Sequence, residues 1–215
     1  KLLLLLFLLL STSFSTFADS HLDFTLSEFC HEQPGVQDRG GVYYFPNEEV
    51  GITATSICVY KDSYGQYQSK GELINGKFEG QYTLWHKNGQ IQAEMNLKEN
   101  MPEGKVTSWY ENGQKKVDGN LQDGEANGTF TEWHENGQIS SEANYKDSKI
   151  FGTWTTWYEN GQISSEWNYK DGEKHGKHTS WFEDGQMHWE NNWKDGKADG
   201  KYTWWHENGQ QQNEL

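Results

Sequence analysis

Residues 152–175 read GTWTTWYENGQISSEWNYKDGEKH, and how this stretch folds decides the fold of the protein. Its first run, TWTTWYE, is dense in β-branched and aromatic residues, the composition of a strand. Asn160-Gly161 follows, the strongest short-range hairpin signal, because glycine takes a positive φ at little cost. A second run, QISSEWNYK, alternates, so an uninterrupted strand places Ile163, Ser165, Trp167 and Tyr169 on one face. Asp171-Gly172 then supplies another turn. No i, i+3, i+4 apolar spacing runs through the stretch, so it predicts a β-hairpin rather than a helix.

The same unit recurs along the chain. Asn/Asp-Gly-Gln places its glycine at 89, 113, 137, 161, 185 and 209, always 24 residues apart, and a second glycine series runs through 80, 104, 128, 152, 176 and 200. Tryptophan stands at 85, 109, 133, 157, 181 and 205, threonine at 83, 107, 131, 155, 179 and 203, and an acid at 94, 118, 142, 166, 190 and 214. Copies this regular and free of indels mark a repeat architecture, in which each unit packs on its neighbours.

Two hairpin registers are compatible with the unit. A two-residue Asn-Gly turn puts Tyr158 on the face of Ile163 and leaves Trp157 on the other. A three-residue Glu159-Asn160-Gly161 loop with a bulge swaps them, and a slip of one residue moves every side chain across the sheet. The bulged form is favoured because it gathers Trp85, Trp109, Trp133, Trp157, Trp181 and Trp205 with the Ile and Tyr columns into one aromatic spine. The face left over carries Trp154, Tyr158, Phe182 and Trp204, the candidate binding face.

Composition agrees with an array of this kind. Eight of the 15 leucines lie in the first ten residues; from Asp19 onward 7 Leu, 7 Ile and 6 Val face 29 aromatic residues, so the core must be aromatic. An α/β enzyme built on Val/Ile/Leu-rich buried strands is excluded. A net charge of −14 argues against nucleic acid, which requires a basic stripe, and against docking on anionic lipid. Residues 1–18, KLLLLLFLLLSTSFSTFA, have a basic start, a short apolar run and small residues, the pattern of a secretory signal peptide. The mature chain is therefore expected outside the cytoplasm (periplasmic, cell-surface or secreted), without a stable membrane insertion. In that compartment Cys30 and Cys58 are expected to form a disulfide, worth about 3 kcal/mol in the loop-entropy account.

The pattern G-x-(aromatic)-T-x-W-(Y/H)-E-N-G-Q-(I)-x-x-E-x-(N)-(Y)-K-D-G, together with the upstream RGGVYYFPNEEVG…CVYKDSYGQ, resembles the bacterial MORN-repeat variant found in proteins labelled YwqK-family antitoxins. The resemblance covers about residues 38–215. It implies an all-β, elongated antiparallel meander of about six to seven tandem 24-residue hairpins, and a role as an interaction or scaffolding module, antitoxin- or immunity-like. The expected organisation is a signal peptide (1–18), a polar lead-in (19–37), a diverged capping hairpin region (38–79) with a first hairpin in 38–64, and tandem repeats (80–215).

Catalytic and metal chemistry find no support in the residues. His86, His134 and His206 share one column, and the closest two are two repeats apart, about 19 Å at ~4.8 Å per strand, too far to share a metal. His175, His178 and His188 cluster in one repeat, but His178 merely fills the aromatic column of Tyr82, Phe130 and Trp154. Glu142 and Glu166 stand ~10 Å apart and recur identically, whereas an active site is asymmetric. Their expected work is pairing with the threonine column or with Lys146 and Lys170. No catalytic residues, cofactor or metal are expected. The expected partner is a neutral or basic protein. The rival expectation is a cell-wall glycan gripped by an exposed aromatic ladder.

Overall fold

The computed structural model describes residues 36–60 and 66–214. The expected signal peptide and most of the polar lead-in lie outside the described residues. Every described element is a strand, and the strands form two compact units. One contains the described residues up to Gly89 with Leu97–Asn100; the other contains Gln90–Asn96 and the chain from Met101 onward.

In the first unit, β1 (Gln37–Asp38) pairs with β2 (Tyr43–Tyr44), and β3 (Ala54–Val59), β4 (Tyr67–Ile74) and β5 (Lys77–Trp85) follow as an antiparallel meander. In the region where a diverged first hairpin is expected (38–64), β1 and β2 form a short antiparallel pair, and β3 pairs onward with β4. Tyr60 N–H donates to Gln66 C=O. Ile52, Cys58, Leu73, Phe78, Tyr82 and Leu97 are buried here, with Phe78 edge-on to Tyr82 at 5.0 Å. Cys58 is bonded, not a free thiol, and its expected partner Cys30 lies outside the described residues.

In the second unit, β6 (Ile91–Lys98, through Asn96) and β7 (Met101–Trp109) are followed by β8 (Lys115–Gln122), the two-residue β9 (Glu125–Ala126), β10 (Gly128–Trp133), β11 (Ile139–Lys146), β12 (Lys149–Trp157), β13 (Ile163–Lys170), β14 (Glu173–Trp181), β15 (Met187–Lys194), the short β16 (Lys197–Ala198), β17 (Thr203–Trp205) and β18 (Gln211–Glu214). From β7 to β18 all pairings are antiparallel. Two kinds of turn alternate. At the Asn-Gly turns, Gly161 N–H donates to Tyr158 C=O (2.9 Å) and Tyr158 N–H to Gln162 C=O (2.8 Å), with Gly161 at φ 83°. This is the three-residue loop closed by a left-handed glycine. At the Asp-Gly turns both central residues have positive φ, 53° at Asp171 and 85° at Gly172, the geometry of a two-residue type I′ turn.

A second irregularity decides which side chains are buried. Trp157 pairs with Ile163, as the bulged register requires, but Thr156 then pairs with Ser165, so Ser164 is an extra residue. The bulge is held by Thr156 Oγ1, 2.6 Å from Ser164 Oγ and 2.7 Å from Ser165 Oγ. It returns Trp167 and Tyr169 to the face opposite Ile163 and Trp157, so the simple alternation fails. The six column tryptophans are half-buried rather than the buried spine expected of them. Buried side chains of this unit include Val106, Phe130 and His178, each two residues after the strand glycine, Ala143 and Asn191, which face Phe130 and His178, and Ala93, Met95, Val117 and Tyr169 on β6, β8 and β13; Thr107, Thr179 and Thr203 of the threonine column are buried as well. Packing is tuned by volume along these columns. Gly119 lies directly beneath the Phe130 ring, with no room for a Cβ.

Candidate interaction surface

The face opposite the packed side chains is ordered by rows that run from strand to strand. Nearest the Asn-Gly loops is an apolar stripe with one residue per strand: Trp133, Ile139, Trp157, Ile163, Trp181, Met187 and Trp205. The tryptophans and Met187 are half-buried, while Ile139 and Ile163 are 38% and 37% exposed. In the preceding repeat the same position is Lys115, whose Nζ sits 5.0 Å over the Trp133 ring.

Behind the stripe stand the threonine and acid columns, paired across strands: Thr131 with Glu142, Thr155 with Glu142 and Glu166, Thr179 with Glu166 and Glu190. Thr107 Oγ1 donates to Asp118 at 2.7 Å, and Lys105 and Lys115 lie 3.3 Å and 3.6 Å from the same carboxylate. Partial burial would raise the Asp118 pKa, but the Thr107 hydrogen bond and the two lysines outweigh it and hold the group below its ordinary value. Glu190 pairs with Lys177 at 2.6 Å. The acids therefore pair with the threonine column, as expected, but their lysines are Lys105, Lys115 and Lys177 rather than Lys146 and Lys170. Beyond the stripe, Glu135, Glu159, Glu183 and Glu207 are exposed at the hairpin tips. Among the described residues, none of these four, nor Glu142 or Glu166, forms an ion pair.

The tips are locked to one another. Tyr110 and Tyr158 hydroxyls donate to the carbonyls of Trp133 (2.7 Å) and Trp181 (2.8 Å), and His134 Nε2 is 2.9 Å from the Trp157 carbonyl. The column therefore accepts Tyr or His because either carries a polar atom at the required reach. Partial burial, and then nearby Glu135 and Glu183 respectively, raise the Tyr110 and Tyr158 pKa values. Asn112, Asn136 and Asn160 each donate to the carbonyl of Glu135, Glu159 and Glu183 in the following tip, at 2.7–2.8 Å, while accepting from a backbone N–H of their own loop. The sequence shows these asparagines only as turn residues. The one available signal is that amide, not carboxylate, fills every position of the column but Asp184.

Trp154, Tyr158, Phe182 and Trp204 do lie off the Trp157 face, but on the packed side. Trp154 donates from Nε1 to Ser141 Oγ at 2.8 Å, Phe182 packs on His188 at 4.3 Å, and Trp204 is 45% exposed beside Tyr202 at 5.4 Å. Toward the C-terminus this side becomes a network of rings. Trp167 meets His178 at 4.5 Å and Trp189 at 5.3 Å, and His178 stacks on Trp193 at 5.6 Å. Lys174 Nζ sits between two of these rings, 4.0 Å from Trp167 and 4.8 Å from Trp193, and burial lowers its pKa. His178 is wholly buried; its Nε2 is 3.0 Å from the Asn168 carbonyl and its Nδ1 has no partner. Burial, with Lys174 adding like charge, pushes its pKa down to about 4. Among the described residues no group of His, Cys, Asp or Glu could hold a metal ion.

Residues 78–99, 102–123, 126–147, 152–171 and 198–214 match the family model described as MORN repeat variant. Five segments, a little under half of the chain, thus match this repeat. No curated protein matches it. Each matched MORN segment in the second unit falls on consecutive strands, as 152–171 does on β12–β13. No matched segment covers residues 172–197, yet β14 and β15 keep the MORN pairings Thr179–Glu190 and Trp181–Met187. This hairpin carries the departures His178, Asp184 and Trp189, so the architecture is kept where the sequence has drifted. MORN repeats are in general protein- or membrane-binding modules and are typically non-catalytic.

Proposed function

We propose that this protein is an exported, non-enzymatic MORN-repeat module that binds a neutral or basic protein partner, in the manner of an immunity or scaffolding factor. The observation that carries this reading is the apolar stripe from Trp133 to Trp205. It stands opposite Phe130, Ala143, Tyr169 and His178, beside the buried threonines Thr179 and Thr203, and is flanked by Glu135, Glu142, Glu159, Glu166, Glu183 and Glu207, which form no ion pair among the described residues. Apolar surface at that density, ringed by charge, is a feature of protein-binding sites. Export rests on the leader-like residues 1–18. Affinity capture with the intact protein from an envelope fraction, followed by mass spectrometry, tests the reading. A specific protein lost on Ile163→Ser supports it; capture identical with and without the substitution counts against it.

A second reading is favoured by one observation. Trp204, 45% exposed, and Tyr202 form an aromatic step continuous with Trp189, of the kind that stacks on sugar rings. Tryptophan fluorescence titration with peptidoglycan and soluble polysaccharides separates the two; an unchanged spectrum removes the glycan reading.

A further inference from the structure

The geometry points to a partner segment of stated shape: a basic, proline-rich peptide in the polyproline II conformation, lying along the Trp133–Trp205 stripe across the strands. This deepens the protein-binding reading and rests on it.

The spacing carries the inference. Successive tryptophans of the stripe are two strands apart, ~9.6 Å at ~4.8 Å per strand. A polyproline II helix advances ~9.3 Å per turn of three residues, so every third side chain meets an equivalent point on the sheet. Over the three intervals from Trp133 to Trp205 the two repeats differ by ~1 Å. An α-helix returns a side chain to one face about every seven residues, ~10.5 Å, and drifts ~3 Å over the same distance. A β-strand repeats at ~6.8 Å and falls out of step at once. Chemistry agrees with spacing. Alternating Trp and Ile form the apolar ridges and furrows into which proline rings fit, and a preformed helix loses little entropy on docking. The carboxylates of Glu135, Glu159, Glu183 and Glu207 on one flank and Glu142 and Glu166 on the other recur with the same period. They are matched by an arginine or lysine once per turn.

Fluorescence anisotropy with three labelled 15-residue probes tests this on the intact protein: (Pro-Pro-Arg)5, (Pro-Pro-Glu)5, and an amphipathic helical peptide carrying as many arginines. The expected result is saturable binding of (Pro-Pro-Arg)5 and at least about tenfold weaker binding of the other two. Ile163→Ser weakens it about tenfold. The double substitution Glu159→Gln/Glu183→Gln weakens it severalfold and flattens its salt dependence. Both variants alter exposed side chains, and an unchanged melting temperature shows that they fold. Trp204→Ala, on the packed side, leaves binding unchanged. The inference is overturned if (Pro-Pro-Arg)5 does not bind, if the helical probe binds as tightly, or if Trp204→Ala weakens binding as much as Ile163→Ser. None of these outcomes removes the broader protein-binding reading, which stands or falls on the Ile163-dependent capture.

Discussion

Replacing His178 with phenylalanine should abolish a specific loss of stability in mild acid. An unfolded histidine titrates near 6.5, whereas the buried imidazole of His178 titrates at about 4. The folded pKa is the lower one, so the unfolded chain takes up the proton first. The stability associated with neutral His178 is intact above pH ~6.5 and falls as the pH drops toward 4. At pH 5 the unfolded imidazole is almost fully protonated and the folded one only about one-tenth so, a cost of about 2 kcal/mol that approaches about 3 kcal/mol below pH 4. The physical cause is the enclosure by Trp167, Tyr169 and Trp193, with the ammonium of Lys174 held against two of these rings. Phenylalanine suits the site, because Phe130 occupies the same column of an earlier repeat at 6% exposure. The bond to the Asn168 carbonyl is lost at every pH, so the informative quantity is the difference between pH 7.5 and pH 5.0. Urea unfolding followed by tryptophan fluorescence should show the native chain losing about 2 kcal/mol more than His178→Phe over that interval. Acids elsewhere affect both proteins alike and cancel. Equal losses would refute the reasoning.

Further substitutions probe the repeat. Gly119→Ala places a methyl group against the Phe130 ring and should destabilise the protein by about 1–3 kcal/mol, read by thermal unfolding; Gly119→Ala combined with Phe130→Leu should recover part of it. Asp184→Asn restores the missing amide donor of the tip column and should stabilise by about 0.5–1.5 kcal/mol, whereas Asn136→Asp, which removes the donor to the Glu159 carbonyl, should destabilise by a similar amount.

The hairpins themselves were legible because their chemistry is local. Asn160-Gly161 and Asp171-Gly172 name their turns, and the three-residue loop pairs Trp157 with Ile163 as the bulged reading expects. What failed was alternation. Ser164 is unremarkable as a residue type, and only the pairing of Thr156 with Ser165 reveals it as a bulge. That one extra residue moves Trp167 and Tyr169 to the packed side and leaves the most regular tryptophan column half-exposed. Regular recurrence therefore marked the surface stripe and its carbonyl-bonded tips, while the buried column varies freely from Tyr82 through Val106 and Phe130 to His178. A core position tolerates any residue whose volume its neighbour complements, as Gly119 does for Phe130, so a buried column need not look conserved between repeats.

The sequence by itself determined the all-β class, the 24-residue unit, the turn positions and the aromatic character of the chain, because period, turn residues and composition are properties of neighbours along the chain. Tertiary structure alone decided which face is packed, which acids have partners, and that the asparagines bind the next repeat as well as their own turn. Those outcomes depend on the register of strands brought together from 11 to 24 residues apart, where one bulged serine reverses the sense of every side chain beyond it.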